Sequence, residues 1–190
     1  YVAVDRHVFG DMAPHIFVTH DGGKSFARIA GPTTAGIRGY AHVIKEDRVD
    51  AKILYAGTEF GMFISRNGGA NWEEFRPGNF PAVAVRDIVQ SKKGDDLVLA
   101  THGRGIWVID DVSPLRNLTP TVVASNVTLV ASAPVEQRIQ GNGGWSEGDA
   151  NFVGDNPADG AVITYYQKAR HVIGRMKMEI IGPDGQLVEE

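Results

Sequence analysis

Residues Thr19–Phe26 read THDGGKSF, and residues Ser65–Trp72 read SRNGGANW. Both follow one pattern: a hydroxyl residue, a variable one, Asp or Asn, two glycines, two variable residues and an aromatic. Each phrase follows a short apolar stretch, HIFVT or MFIS, and precedes another, FARIA or WEEF. Two such stretches joined by a Gly-Gly turn predict a β-hairpin. In that turn the Asp21 or Asn67 side chain can accept hydrogen bonds from backbone N–H groups just downstream. Gly22, Gly23, Gly68 and Gly69 permit positive φ without a Cβ clash. Thr19 or Ser65 can add a local hydrogen bond, and Phe26 or Trp72 is expected to pack back beneath the turn. The phrase is thus a folded corner with a structural role.

The two phrases recur with a period of 46 residues. Upstream of the second, YAHVIKE and KILYAGTEFG read as two more strands separated by the polar stretch DRVDA. Four strands within such a period is the repeat length of a β-propeller blade. A third copy follows in AVRDIVQ and DLVLATHGRGIWVIDD, with Gly105 lying 44 residues after Gly61. Its turn phrase has become DDVSPL, without the paired glycines, as suits a terminal repeat.

Beyond Thr121 the rhythm changes. TVVASNVTLVASAPVEQRI reads as one or two extended stretches. QGNGGWSEGDANFVGDNPADG is rich in Gly, Asn and Asp and reads as a loop or linker. AVITYYQKA and RMKMEIIGPDGQLVEE show apolar alternation around a GPDGQ turn, the start of a second β domain. The expected organisation is therefore an incomplete propeller at 1–120, a linker with extended segments at 121–160, and the first strands of another β domain at 161–190. Both ends read as cuts through a longer protein. The opening YVAVDRHVFG is a strand in mid-course and has no features of a signal peptide.

Composition narrows the function classes. The chain has 190 residues, 43% of them hydrophobic and 22% charged, as in ordinary globular proteins. Its 23 glycines favour a turn-rich all-β chain. A net charge of -4 and a pI near 5.9 argue against a general nucleic-acid surface. Without cysteine, disulfides and thiolate metal sites are excluded. No apolar run approaches the roughly 20 residues of a membrane-spanning helix.

The repeated phrase resembles the Asp-box, or BNR repeat, of sialidases, xyloglucan-degrading enzymes and sortilin-type propellers. The wider wording, YVAVDRH, PHIFVTHDGGKSF and LVLATHGRGIWVIDDVSPLRNL, is similar to the last blades of bacterial sortilin-N-terminal-like proteins. The similarity covers about residues 1–120, and the tail resembles the immunoglobulin-like domain that often follows. The resemblance implies an exported protein, extracellular or periplasmic, with Asp-boxes at the blade periphery, away from the ligand. It implies no cofactor and no metal.

Propeller ligands bind near the central channel, at the starts of the innermost strands. Here these should be GYAHVIKE and VAVRDIVQ, which place Arg38, Tyr40 and His42 in one blade and Arg86 and Asp87 in the next. Arginines suit a sugar carboxylate, tyrosine is the sialidase nucleophile, and Asp87 is the one candidate catalytic carboxylate. The same residues could instead form salt bridges between blades. Asp5, His7, Asp11 and His15 hold metal-ligating atoms but fit no tight ligand spacing, and they read as an inter-strand loop. His102 and Arg104 read as part of a blade corner. Asn117 and Asn126 stand in glycosylation sequons, and Trp145 could stack on a sugar or anchor the linker. Two functions remain open: a non-catalytic module binding protein, peptide or glycan, or part of a glycoside hydrolase whose second carboxylate comes from other blades.

Overall fold

The computed structural model describes residues 1–92, 95–134 and 160–189. It is predominantly β, built from antiparallel sheets, none of which closes on itself among the described residues. The first sheet contains β1 (Val2–Arg6), β2 (Asp11–Val18) and β3 (Ala27–Ala30), with a short 3-10 helix at His7–Phe9. The second contains β4 (Ala41–Glu46), β5 (Leu54–Thr58), β6 (Gly61–Ser65) and β7 (Glu73–Glu74). The third contains β8 (Val85–Gln90), β9 (Leu97–Thr101) and β10 (Ile106–Ile109). Strands follow one another in chain order across each of the three sheets.

The hairpins predicted at the two Gly-Gly phrases form, one between β2 and β3 and one between β6 and β7. Thr19 donates to Asp21 at 2.9 Å and accepts from the Gly23 N–H at 2.8 Å. Ser65 repeats both contacts, to Asn67 at 3.0 Å and from Gly69 at 2.8 Å. Gly23 and Gly69 sit at φ 90° and 93°, where a side chain would be strained. The two aromatics differ. Trp72 is buried, and its Nε1–H donates to the Ile29 carbonyl of the first sheet at 3.2 Å. Phe26 lies back over its own turn, its ring 3.8 Å from where a Gly23 Cβ would stand, but 52% of its surface is exposed. The aromatic packs onto the preceding sheet, and no described sheet precedes the first.

The second sheet is covered on both faces. Along β5 and β6, Leu54, Ala56 and Phe63 join the core shared with the first sheet, while Tyr55, Met62 and Ile64 join the core shared with the third. Every residue of these two strands is buried, so their near-continuous apolar wording is the pattern of a sheet packed on both sides. The sheets meet closely: β4 lies against β1 and β8, and β5 also faces β8. At Gly36 (φ 81°) a Cβ would stand 1.8 Å from the Trp72 carbonyl oxygen. At Gly57 it would stand 2.5 Å from the Val85 carbonyl oxygen.

After β10 the chain forms α1 (Ser113–Arg116) and α2 (Pro120–Ala124), then β11 (Val127–Val130). The stretch from Thr121 is thus not extended throughout. Pro120 occupies the first helical turn, and the Thr119 hydroxyl accepts from the Val122 N–H at 3.3 Å. The second extended segment is present as β11, and it pairs across a long chain separation with β12 (Thr164–Gln167). The GPDGQ turn joins β13 (Ile180–Ile181) to β14 (Leu187–Glu189). Most of the Gly-, Asn- and Asp-rich stretch, Trp145 included, lies outside the described residues.

Candidate functional site

Two ends of the three-sheet body carry different polar chemistry. At one end stand the starts of β4 and β8. The register of β4 on β5 pairs Ala41 with Thr58 and Val43 with Gly57, leaving His42 as an extra residue in a bulge. The register of β8 on β9 pairs Val85 with Thr101 and Asp87 with Ala100, leaving Arg86 in the equivalent bulge. Bulges re-aim the side chain they carry, and here both side chains turn toward the same place.

His42, only 6% exposed at its side chain, is the centre. Its Nε2 lies 3.1 Å from Glu59 Oε2, and its Nδ1 lies 3.2 Å from Arg86 Nη1. A second Arg86 nitrogen reaches the same Glu59 oxygen at 3.5 Å. Glu59 sits in the two-residue turn between β5 and β6, where its N–H donates to the Tyr40 carbonyl at 3.2 Å. From the first sheet, Asp5 Oδ2 comes to 3.7 Å from His42 Nδ1, while Asp5 Oδ1 lies 2.6 Å from His7 Nδ1. The Tyr40 ring stacks on His7 at 4.5 Å and meets His42 edge-on at 5.0 Å.

Both carboxylates are held ionised. Burial alone would raise the Glu59 pKa, but hydrogen bonds from His42 and Tyr40 and the Arg86 charge outweigh it and leave it below the usual range. Asp5 is lowered in the same way, the His7 contacts and the His42 ring overcoming its partial desolvation. Tyr40 moves up, first through desolvation and then through its hydrogen bond to Glu59. Tyr40 thus keeps its hydroxyl proton beside two ionised carboxylates. Among the described residues, no carboxyl of this cluster has the raised pKa that a glycosidase general acid requires.

Of the residues singled out from sequence, Tyr40, His42 and Arg86 meet here. Arg38 does not: it pairs with Glu74 at 3.1 Å and is exposed. Asp87, the candidate catalytic carboxylate, is exposed and accepts from the N–H of its own neighbour Ile88 at 2.9 Å. The pair His15 and Asp11 forms a separate contact at 2.8 Å. Glu59 and Asp5 were not expected. Glu59 had one available signal, its place in a tight turn following an apolar strand that aligns with the turn at His102. The His102 N–H makes the equivalent bond, to the Ala84 carbonyl at 2.9 Å.

The opposite end carries an ion network centred on a fully buried carboxylate. Asp47, with no exposed side-chain surface, takes Arg116 Nε and Nη2, both at 2.9 Å. It also accepts from the N–H groups of Val49 and Asp50, from Tyr55 Oη at 3.0 Å and from Gln90 Nε2 at 3.1 Å. Arg116 Nη1 reaches Asp95 at 2.7 Å. Desolvation would raise the Asp47 pKa, yet these donors hold it far below the carboxylate range, while Tyr55's own burial, and then the Asp47 charge, push the Tyr55 hydroxyl far up. With every oxygen occupied, this network joins elements and leaves nothing to bind a ligand.

Comparison with family models, with curated proteins and with solved structures finds no match for this chain. Among the described residues, no helix is long and apolar enough to cross a membrane.

Proposed function

We propose that this chain is part of an exported Asp-box β-propeller, extracellular or periplasmic, that serves as a non-catalytic module binding a protein, peptide or glycan. The observation that carries the reading is the cluster at the shared strand ends: Asp5, Tyr40, His42, Glu59 and Arg86 converge there from three consecutive sheets. The two Asp-box corners and the strand repeat around them support the propeller frame. Three sheets do not close a ring, since propellers have about four to eight blades. In this reading further repeats, from the same polypeptide or another chain, complete it. The strands after residue 160 are read as the start of an immunoglobulin-like domain.

The ionised state of Asp5 and Glu59 favours binding over hydrolysis, because neither is poised to donate a proton to a leaving group. The test uses the folded protein against peptide and glycan arrays, with reducing-sugar release from polysaccharides and sialosides measured in parallel. Arg86→Ala is expected to lower affinity about tenfold or more, as for loss of a charge-assisted contact, with little change in Tm. Turnover of any sugar substrate would move the protein to the glycoside hydrolases, whose second carboxylate other repeats would supply.

A further inference from the structure

His42 presents one ring nitrogen to two opposite charges. Its Nδ1 is 3.2 Å from Arg86 Nη1 and 3.7 Å from Asp5 Oδ2. A guanidinium has only protons to offer, so the Arg86 contact requires a lone pair on Nδ1. The Nε2–H then donates to Glu59 Oε2 at 3.1 Å. The geometry thus selects the neutral ring with its proton on Nε2. A proton arriving from solvent has one place to go, Nδ1, and once there it abolishes the acceptor that Arg86 uses.

The same proton creates a donor facing Asp5. Asp5 is arranged to receive it, because its Oδ1 is taken by both His7 Nδ1 at 2.6 Å and the His7 N–H at 3.0 Å, leaving Oδ2 toward His42. Glu59 keeps its bond to Nε2 in both states. The groups facing His42 are therefore Asp5 from the first sheet, Tyr40 and Glu59 from the second, and Arg86 from the third, with His7 behind them on Asp5 and Tyr40. Arg86 is 41% exposed at its side chain, so a ligand can reach it when it lets go.

We propose that His42 is a proton-operated selector: neutral, it holds Arg86, and protonated, it turns to Asp5 and frees the guanidinium for an anionic group on a ligand. Histidine is the side chain suited to this between about pH 5 and pH 8. The consequence for ligands rests on the binding function proposed above, whereas the exchange of partners does not.

The exchange is read by NMR on the whole chain carrying nitrogen-labelled histidine, titrated from pH 8 to pH 5. At pH 8 the expected His42 signal has a proton on Nε2 and a lone pair on Nδ1. On acidification Nδ1 gains its proton, and the Arg86 guanidinium signals move in the same step. At one fixed pH, Arg86→Gln is expected to increase the share of His42 carrying a proton on Nδ1, and Asp5→Asn to decrease it, since one removes a cation and the other an anion from that nitrogen. A His42 already protonated on Nδ1 at pH 8 overturns the exchange, and that measurement needs no variant. An Nδ1 signal indifferent to both substitutions also overturns it. If the exchange is seen while the arrays yield no ligand, the selector stands and the binding function falls.

Discussion

Asp21 shows how much a single side chain can organise. Its carboxylate accepts from Thr19 Oγ1, from the Lys24 and Ser25 N–H groups, and from Ser25 Oγ. The Ser25 bonds are the largest influence, and together these donors bring its pKa down to about 2. The folded value lies below that of the unfolded chain, near 3.9. The contribution of this group to stability is therefore complete above about pH 4 and lost as the pH falls through about 2. Carboxyl-carbon NMR of Asp21 should show that midpoint, with the Lys24 and Ser25 amides losing exchange protection in the same range. Asn67 performs the same task without a charge, accepting from Ser65 Oγ and from the Asn71 N–H at 2.8 Å. The Asn71 amide should keep its protection where Lys24 loses it. These corners were legible in sequence because every participant lies within eight residues. Glu59 and Asp5 were not legible as partners of His42, because only the strand register brings them to it.

At the scale of strands and turns, local wording and long-range pairing part company. The hairpins, the polar stretch between β4 and β5 and the GPDGQ turn can all be placed from alternation and turn residues. The pairing of β11 with β12 cannot, since nothing local in either strand specifies a partner more than thirty residues away. The two bulges were equally silent, because a single unpaired residue leaves no mark on an apolar run. Thr119 and Pro120 are the local sign of α2, masked by the β-branched residues that follow and favour an extended reading. Close packing between strands is testable at Gly57. A methyl group there would meet the Val85 carbonyl oxygen at 2.5 Å and the Val43 side chain at 2.7 Å. Neither strand can yield without moving a sheet, so Gly57→Ala should destabilise the protein by about 1–3 kcal/mol in urea unfolding. Gly103→Ala, with open space around it but a φ of 82°, should cost less, through backbone strain alone.

Across the whole molecule, one guanidinium ties parts far apart in sequence. Arg116 joins the β4–β5 turn through Asp47 and the β8–β9 turn through Asp95, from a helix beyond both sheets. Arg116→Ala leaves Asp47 buried without its cation. A loss of about 3–5 kcal/mol is expected in urea unfolding, as for breaking one side of a buried pair. The Asp47 donors also make the network persistent in acid: its contribution is present above the unfolded carboxylate value and is lost only in strong acid. The network was invisible in sequence because Asp47 opens an ordinary polar turn and Arg116 sits 69 residues away.

That arrangement also decides where mechanical load would enter. Among the described residues, the chain around and after Arg116 is tied by Asn117 to the Ala131 carbonyl, by Asp111 to the Ala133 N–H, and by the Leu118 carbonyl to Arg66 Nη1 of the second sheet at 3.3 Å. Tension applied through the later strands would be shared among these ties, with Arg116 and Arg66 passing it into the turns of the second and third sheets rather than into one strand edge. A bidentate ion pair pulled along its plane yields only when both bonds break together, whereas β10 at the edge could be peeled one hydrogen bond at a time. The buried pair thus offers a pull on the tail a second anchor besides the open edge of the third sheet.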